Sequence, residues 1–316
     1  MLTRTAFAEA TLTEEECQRL RRLAGQVHAD AYADRPADYD RVVADSLPRV
    51  PARLRSLAVG FGNRLGTAGV LRLRGVPLPV DLPPTPSSLD AGMRARSGAE
   101  VLLLGLATVA GAVISFAGWR GGHRVHNVFP LPEDADTQKA SNAVRLEMHT
   151  EAAFAPGCPE ALAILYLRNG GDQAPATAFC DLHQVWDRLS AGDQALLTES
   201  AFFTVGRDRN RNEVCSDAVA VANPSGEAPA AGKGQRFQYI PALRGTTADH
   251  DQALRRFRAG IEATATEATM APGDLILIDN THIVHGRTRF VPRFDGTDRW
   301  LQRCLLRRRD TNRGQP

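Results

Sequence analysis

From His123 onward the chain is a succession of short apolar runs closed by turn residues: HRVHNVF, AVRLEMHT, ALAILYLR, FFTVG, GDLILIDN and RWLQRCLL. Runs of this length and spacing fit strands better than helices. Separated strands must each bury a face, and a single helical insertion is expected among them, near Asp249 to Ala263. The arrangement this predicts is mainly β with flanking helices, a sandwich or a double-stranded β-helix (jelly roll).

The residues before His123 read differently. Thr13 followed by Glu16 has the form of a capping box, predicting a helix to about His28 with Leu20, Leu23 and Val27 on one face. A second helical region is expected from Tyr39 to Phe61, broken near Pro48 and Pro51. In GVLRLRGVPLP, Leu71 and Leu73 alternate with Arg72 and Arg74 until Gly75 and the prolines end the strand. The loop DLPPTPSSLDAG then leads into an apolar helix from about Ala99. One domain is expected over 1–316, with 1–120 a helical and strand flank and 121–310 the jelly-roll core. ANPSGEAPAAGKGQ, about 222–235, is long enough for a lid.

Composition narrows the function classes. A chain of 316 residues with 43% hydrophobic content can bury a substantial core, and a net charge of +2 gives no footprint for nucleic acid. Arg307, Arg308 and Arg309 read as a solvated tail. Cys17, Cys158, Cys180, Cys215 and Cys304 are odd in number and show no C-x-x-C spacing. They predict reduced thiols in a cytoplasmic protein. Acidic residues come before any apolar core at the N-terminus, so no signal peptide is expected. The uncharged stretch Val101 to Trp119 is rich in glycine and alanine and runs into Arg120. It reads as a buried helix under a sheet, with no membrane contact.

Within RLEMHTEAAF, strand alternation places Arg145, Glu147, His149 and Glu151 on one face and Leu146 and Met148 on the other. An isolated H-x-E is more often a surface ion pair than a metal site. A third ligand has to come from far along the chain, and DLILIDNTHIVHGRTRF offers His282 and His285. Two histidines and one carboxylate on one face of an octahedron form the facial triad of non-haem Fe(II) oxygenases. Its open positions suit a chelating 2-oxo acid and O₂. DGTDRWLQRCLL then aims Arg299 and Arg303 the same way, toward an interior where an unpaired guanidinium is costly. An internal carboxylate ligand would meet such a fork. The competing reading pairs both arginines with Asp295 and Asp298 at a surface.

The ordered motifs H-T-E-A-A-F, D-N-x-x-x-x-H-G-R and D-G-T-D-R-W-L-Q-R resemble the clavaminate synthase-like branch of the Fe(II)/2-oxoglutarate-dependent dioxygenases. That branch includes hydroxylases of free arginine and asparagine in peptide-antibiotic pathways. The resemblance covers roughly 123–307. It implies Fe(II) ligands His149, Glu151 and His285, leaving His282 to packing, and 2-oxoglutarate and O₂ as co-substrates. It further implies that Arg299 and Thr177 bind the distal carboxylate of 2-oxoglutarate. Arg303 would help hold the substrate α-carboxylate or the co-substrate, and Gln138 and Ser141 match a loop that contacts an amino-acid substrate. Glu151 speaks against halogenation, because halogenases of this superfamily have a small residue there. Hydroxylation of an unactivated C–H in an amino-acid-like small molecule is the implied reaction. Desaturation or cyclisation, a binding protein that lost the chemistry, and a metal hydrolase are the alternatives. Where arginine hydroxylases carry acidic side chains, RFQYIPALRG has Gln238, Tyr239 and Ile240, so a neutral or anionic side chain is expected on the substrate.

Overall fold

The computed structural model describes residues 7–26, 46–62, 68–116, 122–134, 143–207, 213–224 and 235–308. Its strands are numbered β1 to β16 along the chain. The larger sheet runs β1 (Phe7–Thr11), β2 (Val70–Arg74), β14 (Leu275–Asp279), β6 (Ala161–Arg168), β16 (Trp300–Arg307) and β3 (Ala112–Ile114), with β4 (His126–Val128) also paired to β16. Facing it is a sheet of β13 (Thr266–Thr269), β7 (Ala176–Asp181), β15 (Ile283–Arg287) and β5 (Leu146–His149). Two small sheets lie outside this pair: β12 (Leu243–Gly245), β8 (Phe202–Arg207) and β9 (Glu213–Cys215), and β10 (Ala222–Pro224) with β11 (Gln235–Phe237). Among the described residues only β1 and β2 pair in parallel, and the other ladders are antiparallel. The fold is the double-stranded β-helix that the strand pattern predicts.

Alternation decides which residues fill the barrel. On β6, Leu162, Ile164 and Tyr166 join Ile276 and Ile278 of β14 and Leu301 and Leu305 of β16 in a core that also takes in Phe179 and Ile283 from the facing sheet. Their neighbours Ala163, Leu165, Leu275, Leu277, Trp300 and Cys304 point the other way, against the helices Glu14–Gln26, Ala52–Gly62 and Glu100–Ala110. A buried aliphatic or aromatic side chain contributes about 1.5–3 kcal/mol, so both faces of the large sheet carry stability. The outer face of the smaller sheet, with Met148, Cys180 and Val284, is covered by Leu254, Phe257 and Ile261 of helix Ala248–Thr264.

Several local expectations have direct structural outcomes. The Thr13 amide donates to Glu16 Oε2 at 2.9 Å and the Glu16 amide to Thr13 Oγ1 at 3.2 Å, a reciprocal capping box. Val27 and His28 lie outside the described residues, as do residues 39–45 of the expected second helical region; the rest of it gives a short turn at Leu47–Arg49 and the helix Ala52–Gly62. Every residue of helix Glu100–Ala110 is buried, and no helix among the described residues is long and apolar enough to cross a membrane. The uncharged stretch does not stay helical: past Gly111 it becomes β3 on the edge of the large sheet. The expected lid falls mainly on residues 225–234, outside the described residues; its two ends pair as β10 and β11.

A polar network fastens β16 to that buried helix. Gln302, wholly buried, donates to Glu100 Oε1 at 2.6 Å and to Asn127 Oδ1 at 3.1 Å, while Trp300 Nε1 donates to the same Asn127 oxygen at 2.9 Å. Gln302→Leu keeps the volume but removes a donor from two buried acceptors. The expected loss is about 1–3 kcal/mol for each acceptor left short, read as a lower midpoint in chemical denaturation.

Candidate active site

Residue pairing between β5 and β15 sets His285 opposite His149. Their rings lie 4.7 Å apart, and the Nε2 atom of each is 3.9 Å from the same oxygen, Glu151 Oε2. That distance is too long for a hydrogen bond and suits donors arranged around a shared cation. His149 Nδ1 lies 2.8 Å from the Glu147 carbonyl. A carbonyl can only accept, so Nδ1 carries the proton and Nε2 presents its lone pair inward. His285 Nδ1 is buried without a hydrogen-bond partner. Two imidazole nitrogens and a carboxylate oxygen within 4.8 Å of one another fit a divalent iron ion with open positions.

Glu151 does not sit on the strand. β5 ends at His149, and Glu151 occupies the turn that follows, with Ala152 in the left-handed region at φ 48°. Strand alternation therefore predicts the shared face of His149 but not the route by which Glu151 reaches it. Asn280 makes that route: its Oδ1 accepts the Glu151 amide at 2.8 Å, and its Nδ2 donates to the Glu151 and Pro159 carbonyls. Between the two acidic-site residues, the Thr150 amide donates to the Tyr239 carbonyl at 2.8 Å, and Thr150 Oγ1 accepts the Tyr239 amide at 2.9 Å. Arg145 and Glu147, expected on the same face, are outside: Arg145 pairs with Glu262 and Glu147 is exposed. His285, in turn, lies in the middle of the new strand β15, not at the end of β14.

Electrostatics fix the protonation of this group. Burial alone would raise the Glu151 pKa, but the Arg303 guanidinium and the two imidazoles hold the carboxyl well below the usual range. Arg303 donates to Glu151 Oε2 at 2.6 Å. His285 is pushed down to about 3, first by burial and then by His149. With its pKa depressed below the ordinary 6.5, His285 stays unprotonated in the native protein while the unfolded chain takes up a proton. The metal-free protein should therefore lose stability as pH falls from 6.5 toward 3, by up to about 1.4 kcal/mol per pH unit from this residue. His285→Asn should flatten that slope in acid titrations of unfolding.

Arg299 immediately precedes β16. It is 7% exposed, beside Tyr166, whose ring centroid is 5.8 Å from the guanidinium carbon. Among the described residues no carboxylate pairs with it, and burial lowers its pKa. The surface alternative fails here, since Asp295 pairs with Arg293 and Asp298 accepts the Arg293 and Phe294 amides. Thr177 shares a 2.7 Å hydrogen bond with the Tyr166 hydroxyl. Across the β7–β15 ladder from Thr177 stands Arg287, whose pKa is lowered to about 9, mainly by burial and then by Arg299. Sequence reasoning missed Tyr166, Arg287 and Asn280; the first two sit at inward positions of their strands, a signal that alternation already contained. Gln138 and Ser141 lie outside the described residues. His282 stands apart from the triad, its Nδ1 3.4 Å from Asp279 Oδ2.

The glycine of H-G-R has a steric role. A Cβ on Gly286 would come within 2.6 Å of the Leu146 carbonyl oxygen and 3.0 Å of Met148 Sδ. Gly286→Ala should push β5 away from β15, at about 1–3 kcal/mol, and weaken Fe(II) binding by separating His149 from His285. His149→Ala and His285→Ala should abolish Fe(II) binding at the triad, whereas His282→Ala should leave it in place; equilibrium dialysis under nitrogen separates these outcomes.

Comparison with known proteins agrees with this geometry. Residues 61–305 match the family model described as taurine catabolism dioxygenase TauD, TfdA family. An L-asparagine oxygenase from Streptomyces coelicolor is 30% identical over 94% of this chain and 89% of its own length. An L-lysine 3-hydroxylase from Catenulispora acidiphila is also 30% identical, over 93% of this chain and 82% of its own. Among solved structures, an asparagine oxygenase in complex with Fe(II), 2S,3S-3-hydroxyasparagine and succinate superposes with a TM-score of 0.83 at 27% identity, covering 94% of this chain and 93% of that one. The chain belongs to the TauD/TfdA family of Fe(II)- and 2-oxoglutarate-dependent dioxygenases.

Proposed function

We propose that the protein hydroxylates an unactivated carbon of an amino acid or amino-acid derivative in specialised metabolism, with Fe(II) held by His149, Glu151 and His285. One observation carries the reading: Arg299 is a buried cation without a carboxylate among the described residues, placed beside Tyr166 immediately before the strand that presents Arg303 to Glu151. A dry guanidinium is costly unless an anion meets it. The distal carboxylate of 2-oxoglutarate supplies that anion, with the Thr177 hydroxyl as a further hydrogen-bond partner.

Bound iron, 2-oxoglutarate and O₂ supply the oxidising equivalent and release succinate and CO₂. The chain supplies position and dryness. Arg303 keeps Glu151 ionised and aimed at the centre; Asn280 and Thr150 hold the turn that delivers Glu151. Phe179, Ile164 and Leu301 wall the interior with apolar surface that excludes water. The named activities of the relatives, L-asparagine oxygenase and L-lysine 3-hydroxylase, support an amino acid as substrate class. Gln238 donates to the Ala153 carbonyl, and its Oε1 lies 3.5 Å from Asn223 Nδ2. The Gln238–Ile240 stretch thus offers no carboxylate to a cationic side chain, which favours a neutral or anionic one; Arg303 would meet the α-carboxylate or the co-substrate, and Gln138 and Ser141 would contact the amino-acid backbone.

Incubation with a panel of amino acids, Fe(II), 2-oxoglutarate and O₂ should give succinate and one product heavier by a single oxygen atom. No substrate-stimulated succinate across free and carrier-bound amino acids would remove the proposal. Arg299→Ala should raise the KM for 2-oxoglutarate by roughly 10- to 100-fold, the worth of a charge-assisted clamp, with iron affinity unchanged. An unchanged KM would place the clamp elsewhere.

A further inference from the structure

A second group of potential ligands lies outside the triad. Asp181, at the end of β7, His183, in the first turn of helix Leu182–Trp186, and His282, in the turn between β14 and β15, each offer a ligand atom within 4.8 Å of the other two. Asp181 is 2% exposed and, among the described residues, no lysine or arginine pairs with it. A carboxylate this deeply buried calls for a counter-charge. The groups that face it are two imidazoles, His183 and His282, with ring centroids 4.7 Å apart and planes inclined at 46°.

Hydrogen bonding at His183 follows the pattern of ligating histidines, whose outer nitrogen is engaged by a carbonyl or carboxylate that fixes the ring, and His282 lies beside a carboxylate. His183 Nε2 lies 3.1 Å from the Gln235 carbonyl, and His282 Nδ1 lies 3.4 Å from Asp279 Oδ2. His183 Nδ1 faces Asp181 Oδ1 at 3.3 Å yet is buried without a hydrogen bond, while the same Oδ1 accepts the His183 amide at 3.0 Å. A nitrogen without a hydrogen bond, turned toward a carboxylate that no lysine or arginine among the described residues balances, is what a metal would complete.

We propose that Asp181, His183 and His282 form a second divalent-metal site, of the zinc class, separate from the iron triad. Two imidazoles and one carboxylate suit Zn²⁺ or Co²⁺ with a water in the fourth position. The ion would tie the start of helix Leu182–Trp186 to the turn before β15, bracing the strand that carries His285. Its presence is independent of the hydroxylase reading, which stands or falls on 2-oxoglutarate turnover.

The test is anaerobic titration of the metal-free full-length protein with Co²⁺, followed by visible absorption and metal analysis. Wild type should bind two ions per chain. His183→Ala should bind one and keep the 2-oxoglutarate-dependent change in the Co²⁺ spectrum; the double variant His149→Ala, His285→Ala should bind the other. Asp181→Asn, which retains an acceptor for the helix cap, should also lower the stoichiometry by one and serves if His183→Ala misfolds. One ion per wild-type chain, or a second ion that survives both His183→Ala and Asp181→Asn, would overturn the site.

Discussion

The ladder between β5 and β15 is the constraint on which the site depends. Antiparallel pairing puts His285 opposite His149, and the missing side chain at Gly286 lets the two strands close to that spacing. Both imidazoles then face one carboxylate oxygen at equal distance. Nothing local to either histidine would produce this, since they are separated by most of the core. The turn carrying Glu151 is held by a side chain from elsewhere, Asn280, which bonds to the Glu151 amide and carbonyl.

Charge is distributed to match. Arg303 compensates Glu151, which leaves Arg299 as the buried cation without a protein anion among the described residues, and Arg287 nearby adds to the local positive field. Like charges gathered in a dry interior oppose folding unless something offsets them. A dianionic co-substrate at the proposed clamp would do so, and binding energy would thereby be tied to the one molecule the chemistry requires. The apolar wall of Phe179, Ile164 and Leu301 strengthens each of these interactions by keeping water out.

Alternation along single strands was readable without coordinates. It separated Leu301, Arg303 and Leu305 from Trp300, Cys304 and Leu306, and it put Met148 opposite His149 in the smaller sheet's outer core. The capping box at Thr13 and Glu16 was equally readable, because its interactions span three residues. Less visible were β7 and β15, short strands next to turns, and so the placement of His285 within a strand was missed. The role of Asn280 was hidden for a different reason: its partners Glu151 and Pro159 lie far away in sequence.

The amino-acid order alone determined the parity of each strand, the three ordered motifs and hence the class of donor atoms available, because these depend on side-chain direction and chemical type. Only the tertiary structure decided how His285 comes to face Glu151 and His282 to face Asp181, that Arg303 turns to Glu151 while Arg299 meets no carboxylate among the described residues, and that Glu151 reaches the centre from a turn. Those outcomes depend on interstrand register and on contacts across the barrel, distances that a linear pattern does not contain.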